Sequence, residues 1–108
     1  MTKKHKLSAR GQRRAATRAA LDLARDRQRL AKLEPGGAPD RPIPVETPPL
    51  VDLRATATPC AVCDGPLALD EHAVASHEGT SLRLARLTCR LCHARREIYF
   101  VLAPRVMN

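Results

Sequence analysis

The chain has 108 residues with 19 Lys and Arg against 11 Asp and Glu, a formal charge of +8, and it carries one Tyr, one Phe and no Trp. That length allows one small domain, and nine prolines with a 44 % apolar content drawn mainly from Ala and Leu leave little material for a large core, which argues against an enzyme. No apolar run approaches the roughly 20 residues that a bilayer crossing needs, and no apolar h-region marks a secretory signal, so a soluble, cytoplasmic protein is expected.

The charge is concentrated at one end. Residues 1–34 hold 11 basic side chains against three acids, whereas the remaining 74 residues hold eight of each sign. From Ser8 to Leu33 there is no proline, and Ala, Arg, Leu and Gln, all good helix formers, dominate. Ser8 suits the N-cap, and Pro35-Gly36-Gly37 closes the segment. At helical spacing Arg10, Arg14, Arg18, Arg25 and Arg29 fall within roughly one 100° arc, with Ala16, Ala19, Leu23, Leu30 and Leu33 opposite. Gly11 weakens the first turn and points to a disordered basic tip over residues 1–12.

A row of guanidinium groups matches phosphate geometry, and neutralising phosphates releases counterions. Lys3, Lys4, Lys6, Arg10, Arg13, Arg14, Arg18, Arg25 and Arg29 are therefore the candidate nucleic-acid contacts, to RNA or DNA. A protein partner with an acidic surface, or simply a solvated charged face, explains the same pattern. A membrane-surface helix fits less well, because the apolar seam is mostly Ala and has no aromatic anchor. A transit peptide fits less well too, since hydroxyl residues are few.

Seven of the nine prolines lie between Glu34 and Pro59. This composition predicts no helix and a poor central strand, hence an extended, flexible spacer over residues 35–58. Leu50, Val51 and Leu53 are positioned to dock on the next module as a short edge strand.

All four cysteines follow, as Cys60-Ala61-Val62-Cys63 and Cys89-Arg90-Leu91-Cys92 with 25 residues between the pairs. Two C-x-x-C turns can bring four thiolates onto one tetrahedral Zn2+. Disulfides compete as an explanation, but nothing in the sequence indicates an oxidising compartment. A redox pair or an iron centre is the smaller alternative.

Between the pairs, Leu67, Leu69, Ala73 and Ala75 alternate with polar residues as in a strand, Glu78-Gly79-Thr80-Ser81 reads as a hairpin turn, and Leu82–Thr88 returns. A third strand is expected from Glu97 to Ala103. Cys60-x-x-Cys63-Asp64-Gly65-Pro66-Leu67 and Cys89-x-x-Cys92-His93 with its following strand resemble the two knuckles of the zinc-ribbon superfamily. The resemblance covers about residues 58–103 and implies a small metal-stabilised β domain, residues 59–104, of about three antiparallel strands, but no particular activity. The second knuckle departs from the usual pattern in having His93 where Gly is common.

His72 and His77 stand too close after Cys63 for a finger-type ligand pair and are expected at the surface; His93 is the one histidine that could replace a thiolate. Arg86, Arg90, Arg95 and Arg96 surround the second pair, either to compensate a Zn(Cys)4 charge of −2 or as a second phosphate contact. Tyr99 and Phe100, consecutive on a strand, face opposite sides and cannot form one stacking platform.

No catalytic constellation, glycine-rich cradle or open metal site is visible, and no small-molecule substrate is expected. The expectation is a bacterial-type zinc-binding accessory of the ribosome or transcription machinery that grips phosphates through its basic arm. The alternative is a zinc-dependent adaptor that binds a protein.

Overall fold

The computed structural model describes residues 8–103. Six elements follow one another: α1 (Ala9–Ala31), β1 (Ile43–Val45), α2 (Pro48–Ala57), β2 (Leu67–His77), β3 (Thr80–Cys89) and β4 (Arg95–Leu102). Strands β2, β3 and β4 form an antiparallel meander, and β1 adds to the far edge parallel to β4, giving the order β1-β4-β3-β2. The sheet thus has four strands and is mixed, where the sequence suggests three antiparallel ones. The fourth strand is only three residues long, and its Pro44 is admissible because β1 is an edge.

Ser8 caps α1 as its sequence suggests, its Oγ accepting the Gly11 amide at 3.1 Å. Gly11 does not break the first turn, for the helix is continuous from Ala9, so residues 9–12 of the tip expected to be disordered are helical, and residues 1–7 lie outside the described ones. No residue of α1 is buried. The face nearest the sheet carries Ala24, Gln28 and Ala31, each partly covered. The Ala and Leu seam faces elsewhere, with Leu23, Leu30 and Leu33 exposed by 52 to 64 %. Among the described residues the helix is anchored near its C-terminal end, where Arg27 reaches Val62, and the extents are 75 × 27 × 23 Å.

The proline-rich segment corrects the expectation of a flexible spacer. Gly36, at φ +83°, accepts the Tyr99 amide on its carbonyl at 2.8 Å, and a Cβ there would lie 2.7 Å from Ile43 Cδ1. The chain then forms β1 and starts a ten-residue helix with Pro48 and Pro49 at its first positions, where a missing N–H costs nothing and the fixed φ is already helical. Val51 and Ala55, four residues apart on α2, are both fully buried. Val51 therefore docks on the sheet as foreseen, but from a helix, while Leu53 points to solvent at 65 % exposure.

α2 covers one face of the sheet. The core there contains Val51 and Ala55 with Val45, Leu67, Ala85, Leu87, Ile98 and Phe100, and it runs directly into Cys60 and Cys89. A bulge at Asp70 shifts the β2 register between Leu69 and Glu71. Leu67 and Leu69 oppose Cys89 and Leu87 on the helix-covered face, whereas Ala73 and Ala75 oppose Leu84 and Leu82 on the other. One unbroken alternation in the sequence is thus split between two faces by one extra residue. The bulge also turns His72 beneath α2, where Nδ1 lies 2.8 Å from Asp52 Oδ1 and Nε2 is buried without a hydrogen-bond partner. His72 is therefore a tether between layers and not the surface residue expected.

Tyr99 and Phe100 do take opposite faces, Phe100 fully buried in the core and Tyr99 opposite Leu84 on the other side. The two-residue hairpin turn is Glu78-Gly79, both at positive φ, which matches the right-handed twist of the flanking strands.

Candidate metal centre

The four cysteine sulfurs lie within 4.8 Å of one another. Cys60 Sγ is 3.6 Å from Cys92 Sγ, and Cys63 Sγ is 3.4 Å from Cys89 Sγ. Four sulfurs at about 2.3 Å from a common centre stand about 3.8 Å apart, so the cluster already has the dimensions of a tetrahedral thiolate site. Cys60 and Cys89 are buried against the core, whereas Cys63 and Cys92 are exposed.

The two cysteine pairs are held by the same turn used twice. In the first, the Cys60 amide donates to the Gly65 carbonyl at 2.9 Å and the Asp64 amide donates back to Cys60 O at 3.0 Å. In the second, the Cys89 amide donates to Ala94 O at 2.8 Å and the His93 amide to Cys89 O at 3.1 Å. Each leading sulfur accepts the amide two residues on, Val62 to Cys60 and Leu91 to Cys89, both at 3.4 Å. The residue after the second cysteine is left-handed in both turns, Asp64 at φ +61° and His93 at φ +63°. His93 thus makes the turn that Gly commonly makes, because Asp and His tolerate this region better than most residues.

Gly65 closes the first turn against the second. A Cβ at this buried position would sit 2.9 Å from Leu91 Cδ1, 3.1 Å from Cys63 Sγ and 3.2 Å from Cys89 Sγ. The Arg90 amide, donating to Pro66 O at 3.0 Å, ties the two turns side by side.

The sulfurs hold their protons very unequally. The amide of Cys92, helped by that of Leu91, draws Cys89 down to about 6. The Ala94 amide favours the Cys92 thiolate, but desolvation and the three other sulfurs outweigh it and push Cys92 up to about 12. The Gly65 amide likewise favours the Cys63 thiolate, yet that thiol is raised on balance, chiefly by Cys89. One thiolate forms readily and further ones repel it, which is how a cluster assembled for a cation behaves.

The four arginines around the second pair divide. Arg96 donates to Pro59 O at 2.8 Å and lies 3.4 Å from Glu34, clamping the entry of the first turn to the root of α1. Arg86 pairs with Glu71 across the strands at 2.7 Å. Arg90 and Arg95 remain exposed with no acidic partner among the described residues. Arg27 of α1, missed by a reading confined to the basic arc, donates to Val62 O at 2.6 Å and joins the helix to the first turn.

Of the candidate nucleic-acid contacts, Arg10, Arg13, Arg14, Arg18, Arg25 and Arg29 all lie exposed on α1. Among the described residues, only Arg29 of these has an ion pair, a loose one of 3.8 Å to Asp26. Arg10, Arg13, Arg14 and Arg18 border one shallow recess with Thr17 and Leu21. Lys3, Lys4 and Lys6 lie outside the described residues. No helix among the described residues is long and apolar enough to cross a membrane. No protein-family model, curated protein or solved structure matches this chain.

Proposed function

We propose that the cysteine cluster holds a structural Zn2+ as a zinc-ribbon-like knuckle pair, and that α1 is an arm that binds the phosphates of RNA or DNA. Four protein sulfurs fill a tetrahedral set and leave no open position for a substrate, which favours a structural metal over a catalytic one. Bound there, zinc supplies folding free energy that a sheet with two aromatic residues cannot draw from its own core.

One observation carries the second half of the reading. A helix of 23 residues contributes nothing to the core, yet presents one arc of arginines almost free of acidic partners. A helix that buries no residue is not built to complete the core, so a binding surface is the better explanation of its composition. Contact through guanidinium groups alone reads phosphate position and groove shape, with little base specificity.

Two measurements test this. Elemental analysis of the purified chain should return one zinc per molecule. Anisotropy titrations against duplex DNA and structured RNA should show affinity falling steeply with salt, and deletion of residues 1–33 should remove most of it. Binding that is absent, or indifferent to salt, would refute the arm. A protein-binding adaptor is the second reading, favoured by Leu21, Leu23, Leu30 and Leu33, all more than half exposed.

A further inference from the structure

A cleft of about 560 Å³ opens at the root of α1, between the end of that helix, the loop over residues 37–41 and the start of β4. The size suits a drug-sized or nucleotide-sized ligand. Four cations line it, Lys32, Arg41, Arg95 and Arg96, against one acid, Glu97. Tyr99, Leu33 and Pro39 supply apolar wall.

The cations are not equally free. Arg96 is occupied by Pro59 O and Glu34. Arg41 spends Nη2 on Lys32 O at 2.7 Å and leans loosely on Asp40 at 3.8 Å, leaving other donors of its five unassigned. Lys32 and Arg95 have no acidic partner among the described residues. At about 100° per residue Lys32 falls in the same arc as Arg14, Arg18 and Arg25, so the basic face of α1 leads straight into the cleft.

We propose that this cleft receives a nucleotide carrying a terminal phosphate, with Lys32, Arg41 and Arg95 on the phosphate and Tyr99 beside the base or sugar. A phosphate monoester carries about −1.5 to −2 charges near neutral pH, so three cations around one cleft favour it over the singly charged diesters of a chain interior. Guanidinium forks give that contact geometry as well as charge. The proposal deepens the reading of α1 and rests on it for one point only, that the nucleotide is the 5′ end of a strand delivered along the helix.

The full-length, metal-loaded chain, labelled with 15N, tests the cleft without any strand. Adenosine 5′-monophosphate should shift the amides of Lys32, Arg95 and Tyr99 saturably, and adenosine should not. The pair Lys32→Ala/Arg95→Ala, which removes no hydrogen bond of the fold, should weaken the nucleotide by about tenfold or more. Absent shifts, or equal shifts with adenosine, overturn the cleft. Single-stranded octamers with a 5′-phosphate or a 5′-hydroxyl then test the source. The phosphorylated octamer should bind about tenfold tighter, a difference that Lys32→Ala/Arg95→Ala removes. Equal affinities would overturn the strand end in favour of a free nucleotide. Arg14→Ala/Arg18→Ala should weaken both octamers alike and leave adenosine monophosphate unaffected. If instead it leaves the octamers unchanged, the α1 reading fails while the cleft stands.

Discussion

Asp64 and His93 are counterparts, each the left-handed residue that follows the second cysteine of its knuckle and each donating its amide to the carbonyl of the leading cysteine. The left-handed region costs ordinary L-residues about 1–2 kcal/mol, least for Gly and for short polar side chains. His93→Gly should therefore leave the stability of the metal-loaded protein within about 0.5 kcal/mol, while His93→Val should lower it by about 2 kcal/mol. Urea midpoints decide the point. A valine variant as stable as the parent would mean that the turn can be made another way.

Metal removal should act on the sheet first. Cys60 and Cys89 belong to the same buried cluster as Phe100 and Leu87, so losing the metal releases the two turns that close this end of the core. Chelation in reducing buffer, or Cys63→Ser, should collapse the amide dispersion of β2, β3 and β4. Because α1 buries no residue, part of its helical circular dichroism should outlast that collapse. Full dispersion after complete metal removal would contradict a metal-dependent fold.

The four-cysteine cluster was legible because its information lies in spacing: two C-x-x-C turns and the Gly65-Pro66 that follows are local signals. The α2 helix was not, because a proline-rich run forbids a helix interior while Pro48 and Pro49 occupy the first turn, where proline is suited. Its available signal was Thr47-Pro48-Pro49 ahead of Val51 and Ala55 at helical spacing. The Asp70 bulge left no trace either, since Leu67, Leu69, Ala73 and Ala75 keep one parity whether or not an extra residue intervenes. Which residues of α1 approach the sheet was also beyond the pattern, for the contact uses Arg27 and Gln28 instead of the leucine seam.

That helix in the proline-rich stretch predicts an unequal pair of truncations. Val51 is fully buried and Leu53 is 65 % exposed, two positions apart on α2. Val51→Ala should cost about 2 kcal/mol through lost burial and the cavity left behind, and Leu53→Ala less than about 0.5 kcal/mol. Equal small effects by urea denaturation would return this segment to a spacer.

His72 offers a second contrast. Its Nδ1 lies 2.8 Å from Asp52 Oδ1, and its Nε2 is buried with no hydrogen-bond partner. Asp52→Ala leaves both ring nitrogens without partners and should cost about 1–2 kcal/mol. His72→Phe removes the unpartnered ring nitrogen and leaves only Asp52, half-exposed, to be hydrated, so it should cost less. The opposite order would show that the imidazole contributes something its hydrogen bonds do not describe.

The two faces of α1 separate its two candidate roles. Leu23 and Leu30 lie away from the arginine arc and are 52 % and 61 % exposed, so Leu23→Asp/Leu30→Asp changes neither the core nor the phosphate-facing surface. If α1 grips nucleic acid, this variant should bind duplex about as the parent does, slightly weakened by two added negative charges at about 10 Å screening length. Arg14→Ala/Arg18→Ala/Arg25→Ala/Arg29→Ala should instead flatten the salt dependence, reducing the slope of log affinity against log salt by up to about 3.6 for four phosphate contacts on duplex DNA. The leucine variant losing binding while the arginine variant keeps it would assign the helix to a protein partner, because an apolar seam matters only to a surface that buries it.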